Sequence, residues 1–291
     1  MMRPTIVSIQ SQLVFGCAGN NAAVPLLQRL GATVYAIPTA LLSNTPHYPS
    51  IAGGPLDPEL IENLLVRLLD RIAPTDIDAI LTGYIGSVGA AHAAARFIDR
   101  VRERHPDVVV LCDPVMGDID YGLYVATEVA DALVSHLVHR ADILTPNLFE
   151  ARQLTALPYG DEEEVMMALL TKGASINAVT GVETNKSLIR TLAGDRNGIW
   201  VAETPHVQLR PTGTGDIFSA RFLFEYLESR STQKALRIGV EAAFHSIRSC
   251  FKAGSKEIAT WHLPPAHAEC PSLFDLNELG VFPESGEYLG Q

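Results

Sequence analysis

Apolar positions in this chain follow two rhythms. In the first, short runs are apolar almost without interruption: Thr5–Ile9, Thr33–Pro38, Ala79–Thr82, Val108–Cys112, Ala141–Leu144, Ile176–Thr180 and Gly198–Glu203. Each has strand length, and strands that lack alternation are those buried on both faces. In the second, apolar residues recur at helical spacing. Leu60, Ile61, Leu64, Leu65, Leu68 and Leu69 show it most clearly, so a helix is expected over Pro58–Ile72. The same reading gives helices over Asn20–Leu30 (with Gly31 as a stop), Ala90–Arg104, Val125–Val138, Phe149–Thr155, Asp161–Lys172, Ile217–Leu227 and Lys234–Lys252.

Strand and helix therefore alternate, which predicts an α/β protein: three α/β/α layers around a central, mostly parallel sheet. No repeat, low-complexity linker or charge block divides the chain, so a single domain is expected over residues 1–291. The tail from Trp261 is rich in Pro, Gly and acidic residues and is expected to be irregular. Residues 43 to 58 read as a loop rich in Pro, Gly and Ser, with Ser43 to Gly54 as a candidate lid. In sheets of this kind ligands bind beyond the carboxyl ends of the strands. Ser11-Gln12, Ser43-Asn44, Gly83-Tyr84-Ile85-Gly86, Asp113-Pro114 and Thr145-Pro146-Asn147 all fall there, which predicts one site fed by many loops.

Bulk properties narrow the chemistry. A chain of 291 residues, 47% hydrophobic, can bury a large core. A net charge of −11 argues against nucleic acid, and admits a nucleotide only in company with Mg²⁺, which offsets phosphate charge. The four cysteines, Cys17, Cys112, Cys250 and Cys270, form no Cys-x-x-Cys pair, so neither zinc nor a disulfide framework is expected. No apolar run approaches the roughly 20 residues of a membrane span. The start, Met1-Met2-Arg3-Pro4, passes straight into a strand without a secretory h-region, and a cytoplasmic protein is expected.

The most telling stretch is Gly213-Thr214-Gly215-Asp216, which opens the helix at Ile217–Leu227. Glycines at a helix start leave backbone N–H groups bare, and the helix dipole adds positive potential there, so the turn is suited to a phosphate. A carboxylate inside such a nest has a use as a base or beside a metal. This predicts phosphoryl transfer with Asp216 as base, the alternative being a plain loop in which Asp216 caps the helix.

Five separated segments resemble one family. They are Ser8-Ile9-Gln10-Ser11-Gln12-Leu13-Val14-Phe15-Gly16 with Gly19-Asn20, Leu42-Ser43-Asn44-Thr45-Pro46-His47-Tyr48, Asp113-Pro114-Val115-Met116-Gly117-Asp118-Ile119-Asp120, Thr145-Pro146-Asn147-Leu148-Phe149-Glu150, and the glycine nest. In order and spacing, across residues 5 to about 250, they are similar to bacterial pyridoxine/pyridoxal/pyridoxamine kinases of the ribokinase-like superfamily. The resemblance implies phosphorylation of the 5′-hydroxymethyl group of vitamin B6 compounds with ATP and Mg²⁺, by a homodimer. It places Asp113, Tyr124, Thr145, Glu150 and Thr180, with Gly213 and Gly215, on the ATP side, and Glu150 and Tyr124 near the metal, Glu150 partly through water. On the substrate side it implies Ser11 and His47 at the polar edges of the pyridine ring, Tyr84 as its wall, and Asp216 at the hydroxymethyl. Gln12 stands where many relatives have His, Thr180 where others have Lys, and the stretch from Val179 to Arg196 is less similar. A hydroxymethylpyrimidine kinase of the same superfamily, or an idle B6-binding protein on this scaffold, are the rival readings. Retention of Asp216 and both glycines argues against the second.

Overall fold

A computed structural model describes residues 3–172, 174–185, 188–259, 262–263 and 276–280. In chain order its strands are β1 (Thr5–Leu13), β2 (Thr33–Leu42), β3 (Gly53–Pro55), β4 (Ala79–Thr82), β5 (Val109–Cys112), β6 (Gly117–Asp118), β7 (Gly122–Leu123), β8 (Ile143–Leu144), β9 (Ile176–Asn185), β10 (Leu188–Asp195), β11 (Gly198–Pro205) and β12 (Leu276–Gly280). Its α-helices are α1 (Asn20–Arg29), α2 (Pro58–Leu69), α3 (Val88–Arg102), α4 (Thr127–His136), α5 (Leu148–Thr155), α6 (Glu162–Lys172), α7 (Thr214–Ser229) and α8 (Thr232–Lys252). Ten strands form one sheet in the order β12-β11-β10-β9-β8-β5-β4-β1-β2-β3, and β6 and β7 make a separate small ribbon.

The middle of the sheet, from β2 through β1, β4, β5 and β8 to β9, is parallel, and both flanks are antiparallel. Its strands sort their side chains by parity. Ile6, Leu81, Leu111 and Ile143 pack with α1, α7 and α8 on one face. Val7, Ile80, Val110 and Leu144 pack with α2, α3 and α4 on the other. A third cluster joins α5 and α6 to Val179, Val182, Leu192 and Val201. All four residues of β4 and of β5 are buried, the expected result for a strand with a helix layer on each side.

Helix starts follow local chemistry. Asp57 accepts from the Glu59 N–H and precedes Pro58 at the first turn of α2, Ser87 caps α3 through the Ala90 N–H, and Ser231 caps α8 through the Lys234 N–H. Pro25 lies inside α1 and cannot donate to the carbonyl of Asn21. The Cys17 thiol lies 3.5 Å from that carbonyl and takes the missing donor's place.

The structure departs from the sequence reading at the flanks. The polar stretch after Val179 continues β9 to Asn185 and, past residues 186–187, forms β10, the two pairing antiparallel. This hairpin belongs to the antiparallel flank, where one face can be wet, so its polar positions hid β10 and the far end of β9. The tail is not irregular throughout: Leu276–Gly280 pairs antiparallel with β11. A strand edge offers an unpaired row of N–H and C=O groups, and β12 covers the one that β11 would otherwise present. The rest of the tail from Trp261, except 262–263, lies outside the described residues. Within the loop 43–58, β3 adds antiparallel to β2.

β1 lies between β2 and β4, so chain direction across the sheet reverses there, and a crevice opens at the carboxyl ends of β1 and β4. β11 runs antiparallel to β10, which runs antiparallel to β9. β11 therefore points the same way as the parallel strands, and the loop 206–213 leaves it at the same edge. Phe222 of α7 is fully buried beneath this edge. We expect Phe222→Ala to lower unfolding free energy by about 3–5 kcal/mol in urea titrations, since the cavity would lie in the layer that carries the site.

Candidate active site

Gly213 caps α7 with φ 96°, a left-handed conformation that favours glycine. A Cβ there would strike the Cys17 carbonyl oxygen and lie 3.2 Å from the Ala18 Cα. No side chain caps α7, so its first N–H groups stay open to an anion. Gly19, the N-cap of α1, also has positive φ (56°) and no side-chain cap. The Gly213–Cys17 contact thus brings two helix N-termini together.

Asp216 sits where they meet. Burial pushes its carboxyl up from the ordinary 3.8 to about 6, while the Gly19 backbone N–H and its own N–H hold it down. It is therefore ionised at neutral pH, yet far more basic than a surface aspartate. Cys17, beside it, is pushed up to about 12 by burial first and then by the charges of Asp216 and Glu257.

A second acidic group, Asp113, ends β5 and is buried. Its pKa is raised, by burial first and then by Glu150 and Asp216. The Ser219 hydroxyl donates to Asp113 Oδ2 at 3.0 Å, and Thr145 Oγ1 lies 2.8 Å from Ser219 Oγ. Gly215 faces the same carboxylate: a Cβ built on it would be 3.7 Å from Asp113 Oδ2.

Glu150 is engaged differently. One oxygen accepts from the Met116 N–H at 3.0 Å and the Gly117 N–H at 3.4 Å, and the other from the Asn147 N–H at 2.9 Å. The Asn147 side chain accepts from the Glu150 N–H in return, a complete capping box. Burial raises this carboxyl to about 8 against the pull of those N–H donors. Glu150 thus ties the 113–118 loop to the start of α5. Tyr124 donates its N–H to the Met116 carbonyl. Its phenol pKa is raised by burial of the hydroxyl and then by the charges of Glu150, Asp113, Asp118 and Asp216, although the residue is 43% exposed. Thr180 enters through its backbone, its N–H bonding the Pro146 carbonyl at 2.9 Å.

On the other side of the crevice, Ser11 is buried and lies against Gly19, where a Cβ would collide with both Ser11 O and Oγ. Below it Ser8, Gln10 and Asn20 form a buried hydrogen-bonded set that joins β1 to α1. Tyr84 follows β4; its carbonyl accepts from Thr39 Oγ1 at 2.6 Å, and burial raises its phenol pKa. His47 is exposed, and its contacts are with Thr212 (Nδ1 to Oγ1, 3.4 Å) and the edge of Tyr121 (5.4 Å between centroids). Arg210 reaches Asp120 at 2.7 Å. The loops 43–50, 117–124 and 206–213 therefore meet above the nest.

Two cavities flank this centre. One, about 590 Å³, is lined by His206, Val207, Phe244, Arg248, Phe251 and Lys252 and adjoins the loop leading to Gly213. The other, about 500 Å³, is lined by Phe15, Cys17, Tyr48, Lys256 and Glu257, among others. The sequence reading had missed the first cavity, Gly19, Cys17 and Ser219. Ser219 was within reach, since a residue three places after Asp216 shares its helix face.

Comparison with known proteins places this geometry. The family model described as phosphomethylpyrimidine kinase matches residues 14–261. The pyridoxine/pyridoxal/pyridoxamine kinase of Bordetella avium (strain 197N) is 37% identical over 270 residues, 91% of this chain and 91% of its own. Pyridoxal kinase PdxY of Leifsonia xyli subsp. xyli is 32% identical, over 94% of this chain and 99% of its own. The pyridoxal kinase of Leishmania donovani in complex with ADP and pyridoxamine superposes with a TM-score of 0.84 at 28% identity, over 95% and 99% of the two chains.

The raised carboxyl has a consequence for stability. Asp216 holds its proton more tightly folded (about 6) than at the ordinary 3.8. Its contribution is fully present below pH 3.8 and is lost as pH rises through about 6. Asp216→Asn should therefore be more stable than the parent by roughly 1–3 kcal/mol near pH 8, with the difference closing near pH 4 in parallel denaturant titrations.

Proposed function

This chain belongs to the phosphomethylpyrimidine kinase family, among its pyridoxal kinases, and we propose that it transfers the terminal phosphoryl group of ATP to the 5′-hydroxymethyl of pyridoxal, pyridoxine and pyridoxamine. The observation that carries the mechanism is Asp216, a basic carboxylate between two helix N-termini. The hydroxymethyl oxygen attacks the terminal phosphorus, its proton passes to Asp216, and the bond to the bridging oxygen breaks to release ADP. In a loose transition state the proton leaves late, so a base with a pKa of about 6 suffices. The N–H groups of Gly213, Thr214 and Gly215 face the charge on the transferring group.

On the acceptor side, Ser11 is assigned to a polar edge of the pyridine ring and Tyr84 to its flat wall. His47 is assigned to the other edge, in reach of the site because it touches Thr212, next to Gly213. On the nucleotide side, Thr145, Thr180 and Tyr124 are assigned to the approach to the nest. Tyr124 stays a neutral phenol among carboxylates, so it suits donation to a phosphate oxygen better than direct metal ligation. The cavity beside the 206–213 loop, with Phe244 and Phe251 as apolar walls and Arg248 and Lys252 as cations, fits a nucleoside.

Mg²⁺ suits the remaining donors. Asp113, Glu150 and Asp216 are close enough for the last two to raise the pKa of the first, an excess of negative charge that a dication offsets. Among the described residues no three His, Cys, Asp or Glu side chains are arranged to hold an ion alone, which fits an ion carried largely by the nucleotide and its waters. Asp113 is the residue best able to hold it, because both Glu150 oxygens already accept backbone N–H groups. Bound there, Mg²⁺ would supply neutralisation of phosphate charge.

We also infer a homodimer in the cytoplasm. Leu60 and Leu64, one turn apart on α2, are 46% and 38% exposed and offer apolar surface to a second copy. Cys17, Cys112 and Cys250 are buried free thiols, compatible with a reducing compartment. Hydroxymethylpyrimidine is a second acceptor worth assay, since the matching family model is named for a phosphomethylpyrimidine, its phosphorylated form.

We expect Asp216→Ala to reduce kcat by at least about 10²–10⁴-fold while pyridoxal affinity stays within a few-fold. Near-normal turnover by that variant would remove Asp216 from the mechanism. A parent enzyme that phosphorylated hydroxymethylpyrimidine but no B6 vitamer would reassign the acceptor. Activity should be abolished by a chelator and restored by added Mg²⁺, and full activity in chelator would contradict the charge argument.

A further inference from the structure

We propose that Ser219 is a positioning residue for phosphoryl transfer: it locks the Asp113 carboxylate to the helix that carries the nest and Asp216. The inference rests on the kinase reading above and extends it to a residue outside the glycine motif. Its ground is where the hydroxyl points. Elsewhere in these helices Ser135, Thr155, Ser229 and Ser246 turn back on their own helix and donate to the carbonyl four residues earlier. Ser219 is just as helical and is buried, yet it leaves its own helix and donates to Asp113 Oδ2 at 3.0 Å.

Valence sets the direction of the chain. Ser219 has one proton, and Asp113 takes it, so Thr145 Oγ1, 2.8 Å away, must donate to Ser219 Oγ. Thr145 follows β8 and Asp113 follows β5, neighbouring parallel strands. One hydroxyl on α7 thereby pins two strand ends. It stands three residues after Asp216, roughly 4.5 Å along the helix axis, so base and carboxylate share a rigid support. No other hydrogen bond to the Asp113 carboxylate occurs among the described residues. Without Ser219 that side chain keeps its burial and loses its restraint.

Ser219→Ala should lower kcat about ten-fold, with the pyridoxal KM within two-fold of the parent. Calorimetry with a non-hydrolysable ATP analogue should show affinity weakened at least about five-fold with Mg²⁺ present and unchanged without it. In an Asp113→Ala background, Ser219→Ala should add almost nothing to either loss, because the two act as one unit. Additive losses, or a fall in Tm with kinetics and Mg²⁺-dependent binding unchanged, would overturn the proposal and leave Ser219 a packing residue. If Ser219→Ala does not fold, Ser219→Cys, of similar size and a weaker donor, is read by the same criteria. The calorimetric arm needs no acceptor, so it separates failure of this inference from failure of the B6 kinase reading, which the parent enzyme's turnover tests.

Discussion

Gly213 lies against the Cys17 carbonyl oxygen with no room for a Cβ, and the geometry of the site follows from that approach. It sets the N-terminus of α7 beside that of α1. The first N–H groups of α1 already bond the Ala18 and Gly19 carbonyls, whereas no side chain closes α7, so its open donors and the two helix dipoles face one point. The Gly19 N–H takes up Asp216, which leaves the first turn of α7 for the phosphoryl group in the proposed mechanism. A residue larger than glycine at 213 would force the helices apart, and Asp216 would lose the Gly19 N–H.

The same convergence creates an electrostatic problem that the surrounding residues contain. Three carboxylates lie near the proposed phosphate site, in a chain of net charge −11. Each is handled by a different device. Glu150 is surrounded by backbone N–H groups, Asp113 is restrained by a hydroxyl chain, and Asp216 is balanced between desolvation and N–H donors. Among the described residues no lysine or arginine pairs with any of them, so no resident cation competes with the one proposed to arrive with the nucleotide.

Much of this could be read from the amino acids, and the reasons differ by element. β4 and β5 were legible because both faces are buried, leaving uninterrupted apolar runs. The start of α7 was legible because Gly-Thr-Gly-Asp precedes an apolar run of helical length. β10 and β12 were not, because flanking antiparallel strands need no continuous apolar run. Glu150 could be placed at the start of α5, but its engagement with Met116 and Gly117, more than 30 residues away, depends on tertiary approach. Ser219 looks like any helical serine until Asp113 is seen beside it. The meeting of His47 with Tyr121, and of Arg210 with Asp120, likewise joins loops that sequence order keeps apart.

Cys17 illustrates how a substitute hydrogen bond can have a chemical result. Its thiol occupies the gap that Pro25 leaves in α1, and a pKa of about 12 keeps it protonated at neutral pH. Only the thiolate adds readily to a carbonyl carbon. A sulfur next to Asp216 would otherwise be an obvious trap for an aldehyde-bearing acceptor at the proposed site, forming a hemithioacetal with it. Here the proton that repairs the helix also makes the sulfur a poor nucleophile.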